Sequence, residues 1–294
     1  MFHHFCDEKH PRGQGAITAD ELAAMIRHIG RENIIDAEEF GVRATSGTLA
    51  NNQVCLTFDD ALLCQYDVAR PVLDDFKIRA FWFVYSSVFE GGSEPLEIYR
   101  YFRTVAFDDI EQFYSAFFKL AQSDEILAKF DHTQYLIDDP FYTPNDKRFR
   151  FLRDDVLGEK RYFALMDAMI LESNFSIPEI KALLWMNDHH LKQLSQDGHV
   201  VGLHSYRHPT RLSALPISAQ RDEYARNSAH VTTVTSITPW AVSHPCNSYS
   251  DDTLGILSSL GVKLGFRAYP DVEPGRSRLE LPRIDHAIVM KEMS

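Results

Sequence analysis

Cysteine is scarce. Four occur in 294 residues, at 6, 55, 64 and 246, with no C-x-x-C pair and no closely spaced framework. That pattern argues against a disulfide-stapled scaffold and for buried thiols in a reducing compartment. Long hydrophobic runs are also missing. The longest candidate, residues 78–89, contains Arg79 and two serines, so no stretch approaches the roughly 18–20 residues of a membrane span. Basic residues are in deficit: 30 Lys and Arg stand against 42 Asp and Glu, a formal charge of −12. Neither nucleic acid nor an anionic membrane surface is expected as the main partner. The opening Met1-Phe2-His3-His4-Phe5 lacks a basic region followed by an apolar one, so no signal peptide is expected and the location reads as cytoplasmic. No internal repeat or low-complexity tract is visible.

What is present is an ordinary globular balance, 45% hydrophobic and 24% charged, in a chain long enough for one large α/β barrel or two smaller domains. Thr18-Ala19-Asp20-Glu21 has the form of a capping box, and Leu22, Met25, Ile26 and Ile29 recur at helical spacing. Val54-Cys55-Leu56-Thr57-Phe58 reads as a buried strand, residues 62–76 as a helix carrying Pro71, and residues 80–85 as a second buried strand. Together they make a parallel β-α-β unit. From about 187 the alternation resumes. Asn187 is placed to cap a helix ended by Gly198, a strand follows near 199–204 and a helix near 218–236. Trp240 to Ser243 reads as a strand, Ser250 caps a helix ending at Gly261, and a further strand lies near 262–267. Alternation of this kind favours a barrel or a doubly wound sheet.

The stretch 90–187 differs. It is rich in Phe, Tyr, Asp and Leu, with helical spacing at Ile110, Phe113, Tyr114 and Phe117 and again at Tyr162, Leu165, Met166 and Met169. It reads as a mostly helical insertion, a lid or substrate wall.

The chemistry concentrates where two apolar runs stop. Of the six Asp-Asp pairs in the chain, Asp59-Asp60 terminates a strand, and ligands and catalytic groups sit at such carboxyl ends. Two adjacent carboxylates there repel each other unless a cation or shared proton relieves them. Val200-Val201-Gly202-Leu203 stops at His204-Ser205-Tyr206-Arg207-His208, the one pair of histidines four apart among thirteen. That spacing suits a metal, and Pro209 marks the segment as a turn. Asp60, His204 and His208 would supply one oxygen and two nitrogens to a divalent ion and leave a position for water. Asp59 is then the natural base, and amide or ester hydrolysis the reaction class. Zinc suits the donor set, as do cobalt, nickel and iron.

These residues resemble a known family. Thr57-Phe58-Asp59-Asp60 and Gly202 to Pro209 look like the first two motifs of the polysaccharide deacetylases of the NodB-homology, carbohydrate esterase type. Ala69 to Leu73, leading to Ala80 to Val84, is similar as well, and Phe2-His3-His4-Phe5 is similar to some members. The resemblance covers about 50–90 and 187–290. It implies a distorted (β/α)7 TIM-like barrel and metal-dependent removal of acetyl groups from amino sugars. Carried over, Asp59 is the base, Asp60, His204 and His208 bind the metal, and Thr57 shapes the site. The third motif departs from the family's R-P-P-Y. Here Ser243-His244-Pro245-Cys246-Asn247 stands in its place, with the backbone N–H of Cys246 as oxyanion donor. The motif's arginine, which orients the base, is absent, and Arg283 in Leu281 to His286 is its expected replacement from the last strand, grouped with Thr57 and Cys246 as substrate-binding or oxyanion residues. His286 is the candidate general acid, ahead of His4 and His10, with Asp285 placed to pair with Arg207. His189 and His190 read as a solvated helix start.

The expected substrate is an N-acetylated sugar, sugar nucleotide or polysaccharide precursor. Two alternatives stand beside it: hydrolysis of a non-sugar linear or cyclic amide, and a catalytically weak barrel that binds a sugar.

Overall fold

The computed structural model describes residues 1–137, 142–173, 175–268 and 277–293; Asp138-Asp139 lies outside them. Contacts divide the chain into two compact units, Met1–Glu94 with Ala182–Ser294, and Pro95–Lys181.

The first unit is built on five parallel strands in the order β1 (Thr57–Asp59), β2 (Phe81–Val84), β3 (Val200–Leu203), β4 (Ala241–Ser243) and β5 (Leu264–Phe266). Two further segments flank them. Phe2 pairs in parallel with Phe58, and Leu281 with Phe266. The flanks then bond to each other: the Met1 nitrogen donates to the Ile284 carbonyl at 2.9 Å, and His286 N–H donates to the Met1 carbonyl at 3.1 Å. One flank, five strands and a second flank make a closed, distorted (β/α) barrel.

The inner face follows from the period of two along a strand. Register pairs Thr57 with Phe81 and Asp59 with Phe83, then Phe83 with Gly202. Phe81, Phe83, Ala241, Leu264 and Phe266 form one core with Phe40 and Ala37, their helix α2 (Ala37–Ser46) lying against the strand bottoms. The three strand phenylalanines sit 5.2 to 5.6 Å apart, ring to ring. Gly202 is required here: a Cβ would lie 2.5 Å from the Phe83 ring. Phe58, Trp82, Val84 and Leu203 face the other way, into the larger core beneath the helices. With both faces covered, β2 is wholly buried and reads as a continuous apolar run.

Helices close the outer layer. α1 (Ala19–Ile29) starts in the expected Thr18–Glu21 capping box, and α3 (Arg70–Phe76) carries Pro71 in its first turn, where no N–H is needed. The described residues of Pro95–Lys181 hold helices and no strand: α4 (Pro95–Val105), α5 (Ile110–Ala121), α6 (Asp124–Leu127), α7 (Pro144–Phe151), α8 (Gly158–Glu172) and the start of α9 (Ile177–Leu184). Its core is aromatic, with Phe149 packed within 5.0 to 6.0 Å of Phe113, Tyr114, Phe117 and Tyr162. Back in the first unit, α10 (Asp188–Gln196) is capped by Asn187, and α12 (Asp251–Ser259) by Ser250. α11 (Ile217–Thr235) lies between them in sequence, and α13 (His286–Met293) ends the described chain.

Candidate metal centre

Strand β1 delivers Asp59 on the inner face, and the chain then turns through two left-handed residues, Asp60 (φ 80°) and Ala61 (φ 57°). Such conformations are costly for residues with a Cβ and concentrate at functional sites. The turn brings Asp60 Oδ1 to 3.3 Å from His204 Nε2 and 3.5 Å from His208 Nε2. One ligand atom from each of the three lies within 4.8 Å of the others. Asp60 and His204 are buried, while His208 is partly exposed.

The histidines are set by their surroundings. His204 Nδ1 is 2.8 Å from the Ser243 carbonyl. A carbonyl only accepts, so Nδ1 carries the hydrogen and the neutral ring presents a lone pair at Nε2. The His208 ring lies 4.9 Å from that of His204 and 5.2 Å from Tyr85, and Tyr85 Oη accepts a bond from Trp185 Nε1 at 2.5 Å.

The donor set fits a divalent ion. Asp60 Oδ1 is buried with no hydrogen bond of its own, a costly state for a carboxylate oxygen. It faces two imidazole nitrogens, one of which, His204 Nε2, carries the lone pair in the neutral ring. Two nitrogens and one oxygen, with no fourth protein ligand grouped with them among the described residues, make the open kind of site. Burial pushes the Asp60 carboxyl up, but the nearby imidazoles of His204, His208 and His3 outweigh it and hold the group well below the usual range. For His204, burial works against the cation, while Asp59 and Asp60 raise its pKa.

Behind the cluster, Asp59 is held in a fork. Arg283 Nη1 donates to Asp59 Oδ1 and Nη2 to Oδ2, each at 2.8 Å. Ser243 Oγ donates to Oδ2 at 2.9 Å and accepts from Arg283 Nη2 at 2.7 Å. Burial pushes the Asp59 carboxyl up, and the Arg283 charge and bonds, with His204, overcome this and keep it ionised. The remaining Arg283 hydrogens meet Thr57 Oγ1 at 3.3 Å and the Arg267 carbonyl at 3.1 Å.

Arg283 thus stands where the replacement for the missing base-orienting arginine was expected, but its grouping with Thr57 against the substrate is not what these bonds give. Five N–H groups are all an arginine has, and Arg283 directs its five at Asp59, Ser243, Thr57 and Arg267. None is left for a substrate oxygen, and Thr57 supports Arg283 rather than facing a ligand. Cys246 lies in a left-handed turn (φ 49°) after β4, with its side chain exposed.

His286 is also not where the sequence suggested. It begins α13 rather than ending a strand. Its Nε2 bonds the Gly15 carbonyl at 3.0 Å, its Nδ1 is 3.3 Å from Asp285 Oδ1, and its ring stacks on Phe2. Burial lowers its pKa. Asp285 does not reach Arg207, which pairs instead with Glu223 at 2.7 Å. His10 pairs with Asp67 at 3.0 Å. His189 and His190 occupy the first turn of α10 as expected.

The residue the sequence reading passed over is His3. Its charge acts on both Asp59 and Asp60, while His4 beside it stacks at 6.3 Å. A signal was available: His3 follows Phe2 in the flank that pairs with β1. Ser243, Glu223 and Asn227 were likewise missed as parts of the site.

Comparison with known proteins bears on the family and the fold. The family model for polysaccharide deacetylase matches residues 163–265, a span that includes both histidines of the cluster. No curated protein sequence matches significantly. Among solved structures, a deacetylase from Streptococcus pyogenes, determined in complex with acetate, superposes with a TM-score of 0.59 at 16% identity, covering 100% of this chain and 96% of its own. A de-N-acetylase from Aggregatibacter actinomycetemcomitans gives 0.58 at 13% identity, covering 100% and 97%. IcaB from Ammonifex degensii gives 0.54 at 16%, covering 96% and 88%. The chain shares their fold, and the match to the polysaccharide deacetylase family model covers residues 163–265.

Proposed function

We propose that this protein is a metal-dependent deacetylase that hydrolyses the amide of an N-acetylated sugar, sugar nucleotide or polysaccharide precursor. The observation that carries the reading is the pairing of two differently held carboxylates: Asp60 turned to two histidines, Asp59 forked by Arg283. One carboxylate suits a ligand and the other a base.

Asp60, His204 and His208 would hold the ion. Once bound, it supplies a water of lowered pKa and polarises the acetyl carbonyl. Asp59 takes the proton of the attacking water. A carboxylate offers about four lone-pair sites. Arg283 and Ser243 occupy two on Oδ2 and Arg283 one on Oδ1, so the site left for the proton is on Oδ1. Arg283 and Ser243 fix the plane of that carboxylate, which is the positioning a general base needs. When the C–N bond breaks, the leaving nitrogen needs a proton. His3 is the proposed donor, because it follows Phe2, whose carbonyl accepts the Asp59 N–H at 3.2 Å, while His286 is bonded to Gly15. The Cys246 backbone N–H is the proposed partner of the carbonyl oxygen.

No helix among the described residues is long and apolar enough to cross a membrane. None of the four cysteines is in a disulfide, which fits the reducing cytoplasm as the proposed location.

The test is acetate release from acetamido sugars and their short oligomers, with chelator-treated and zinc-restored protein. Release that stops on stripping and returns with zinc supports the reading. Equal rates with and without chelator, or no release from any acetamido sugar, would count against it.

A further inference from the structure

The turn that carries the two histidines is held from behind by α11. Asn227 Oδ1 accepts the His204 N–H at 2.9 Å, and its Nδ2 donates to the Val84 carbonyl at 2.9 Å and to Ser86 Oγ at 2.6 Å. One helical turn earlier, Glu223 Oε2 accepts the N–H groups of Tyr206 at 3.0 Å and Arg207 at 2.7 Å, and Oε1 accepts from Arg207 Nε at 2.7 Å. Both residues have no exposed surface. A buried carboxylate is expensive unless its oxygens are satisfied, and here they are spent on the backbone between the two histidines. That backbone is unfavourable: Ser205 (φ 65°) and His208 (φ 58°) are left-handed without being glycine.

We propose that Glu223 and Asn227 are positioning residues, four apart on one face of α11, that pin the His204–His208 turn in its left-handed form and thereby set the metal affinity. The inference rests on the reading of Asp60, His204 and His208 as metal ligands. Asn227 aims the first histidine through its amide. Glu223 fixes the two residues before the second, so both rings meet Asp60 without a search.

The test is titration of metal-stripped protein with zinc in competition with a chromophoric chelator, beside thermal unfolding of the metal-free form. Glu223→Gln puts an NH2 group where backbone N–H groups need an acceptor, and is expected to weaken zinc binding about 10- to 100-fold while the metal-free protein still unfolds cooperatively. Arg207 is 61% exposed at its side chain, so Arg207→Ala should stay within about fivefold of wild type. Asp222→Asn, a charge control on the exposed side of α11, should do the same. Asn227→Ala is expected to weaken binding, and Asn227→Asp, which keeps an acceptor for the His204 amide, to recover part of the loss.

Wild-type zinc affinity in a folded Glu223→Gln protein overturns the proposal. So does an equal loss in Asp222→Asn, since charge alone would then explain it. If Glu223→Gln does not fold, Asn227→Ala against Asn227→Asp decides on the same criterion. Failure of the wild-type protein to bind zinc at all sinks the metal reading, and this inference with it.

Discussion

Arg283 and Asp59 are 224 positions apart in the chain and meet through two parallel 2.8 Å hydrogen bonds, with 4% and 3% of their side chains exposed. Asp59 comes from the first strand and Arg283 from the flank that closes the barrel. Arg283 keeps the buried Asp59 carboxylate charged. Replacing one partner of a buried pair leaves the other uncompensated. Arg283→Ala is expected to destabilise the fold by roughly 3–5 kcal/mol, measured by denaturant unfolding. Arg283→Lys keeps the charge and loses the fork. Its carboxyl partner should titrate higher, moving the acid limb of the pH–rate profile upward. An unchanged acid limb in a folded Arg283→Lys protein would remove Arg283 from the mechanism.

Asp59 and Asp60 are adjacent, yet their replacements should part company. Asp59→Asn is expected to lower the rate by about two powers of ten or more while metal content stays near wild type. His204→Ala should lose metal and activity together. Elemental analysis alongside the rate assay separates them. Metal loss in Asp59→Asn would mean the two carboxylates' roles are reversed.

The proton donor is decided by comparing His3→Ala with His286→Ala. The first should keep its metal and lose the alkaline limb of the pH profile. The second should keep that limb and lose thermal stability, since it removes the bond to Gly15 and the stacking on Phe2. The opposite pattern would return the role to His286.

Stability should fall with acid through two buried histidines outside the metal cluster. His199 accepts the Ala80 N–H at Nδ1, and burial pushes its pKa down to about 4; burial brings His244 to about 4 as well. An unfolded histidine titrates near 6.5. Below that pH the unfolded chain binds a proton that the folded one refuses, so stability is full above about 6.5 and declines until about 4. The loss is on the order of 3 kcal/mol per histidine at most. Thermal melts from pH 4 to 8 check this. His199→Gln, which keeps an acceptor for Ala80, should flatten the slope, and an unaltered slope would place the effect elsewhere.

The histidine pair and the carboxylate pair were legible because each stands where a short apolar run stops. Which of Phe81, Trp82, Phe83 and Val84 faces inward was not legible, because that run is apolar throughout. The caps at Thr18, Asn187 and Ser250 were legible because each is a bond between residues three apart. Neighbours across the barrel leave no such trace. That Arg283 spends all five N–H groups behind Asp59, that Arg207 chooses Glu223 over Asp285, and that His286 turns to the Gly15 carbonyl depend on contacts between distant segments. Closure is a long-range event, in which Leu281 meets Phe266 while Met1 meets Ile284 and His286. The sequence by itself therefore marked the strands and the candidate ligand trio. Only the tertiary structure decided which distant charges hold that trio and its base in place, because a buried charge takes its partner from whatever the fold brings within reach.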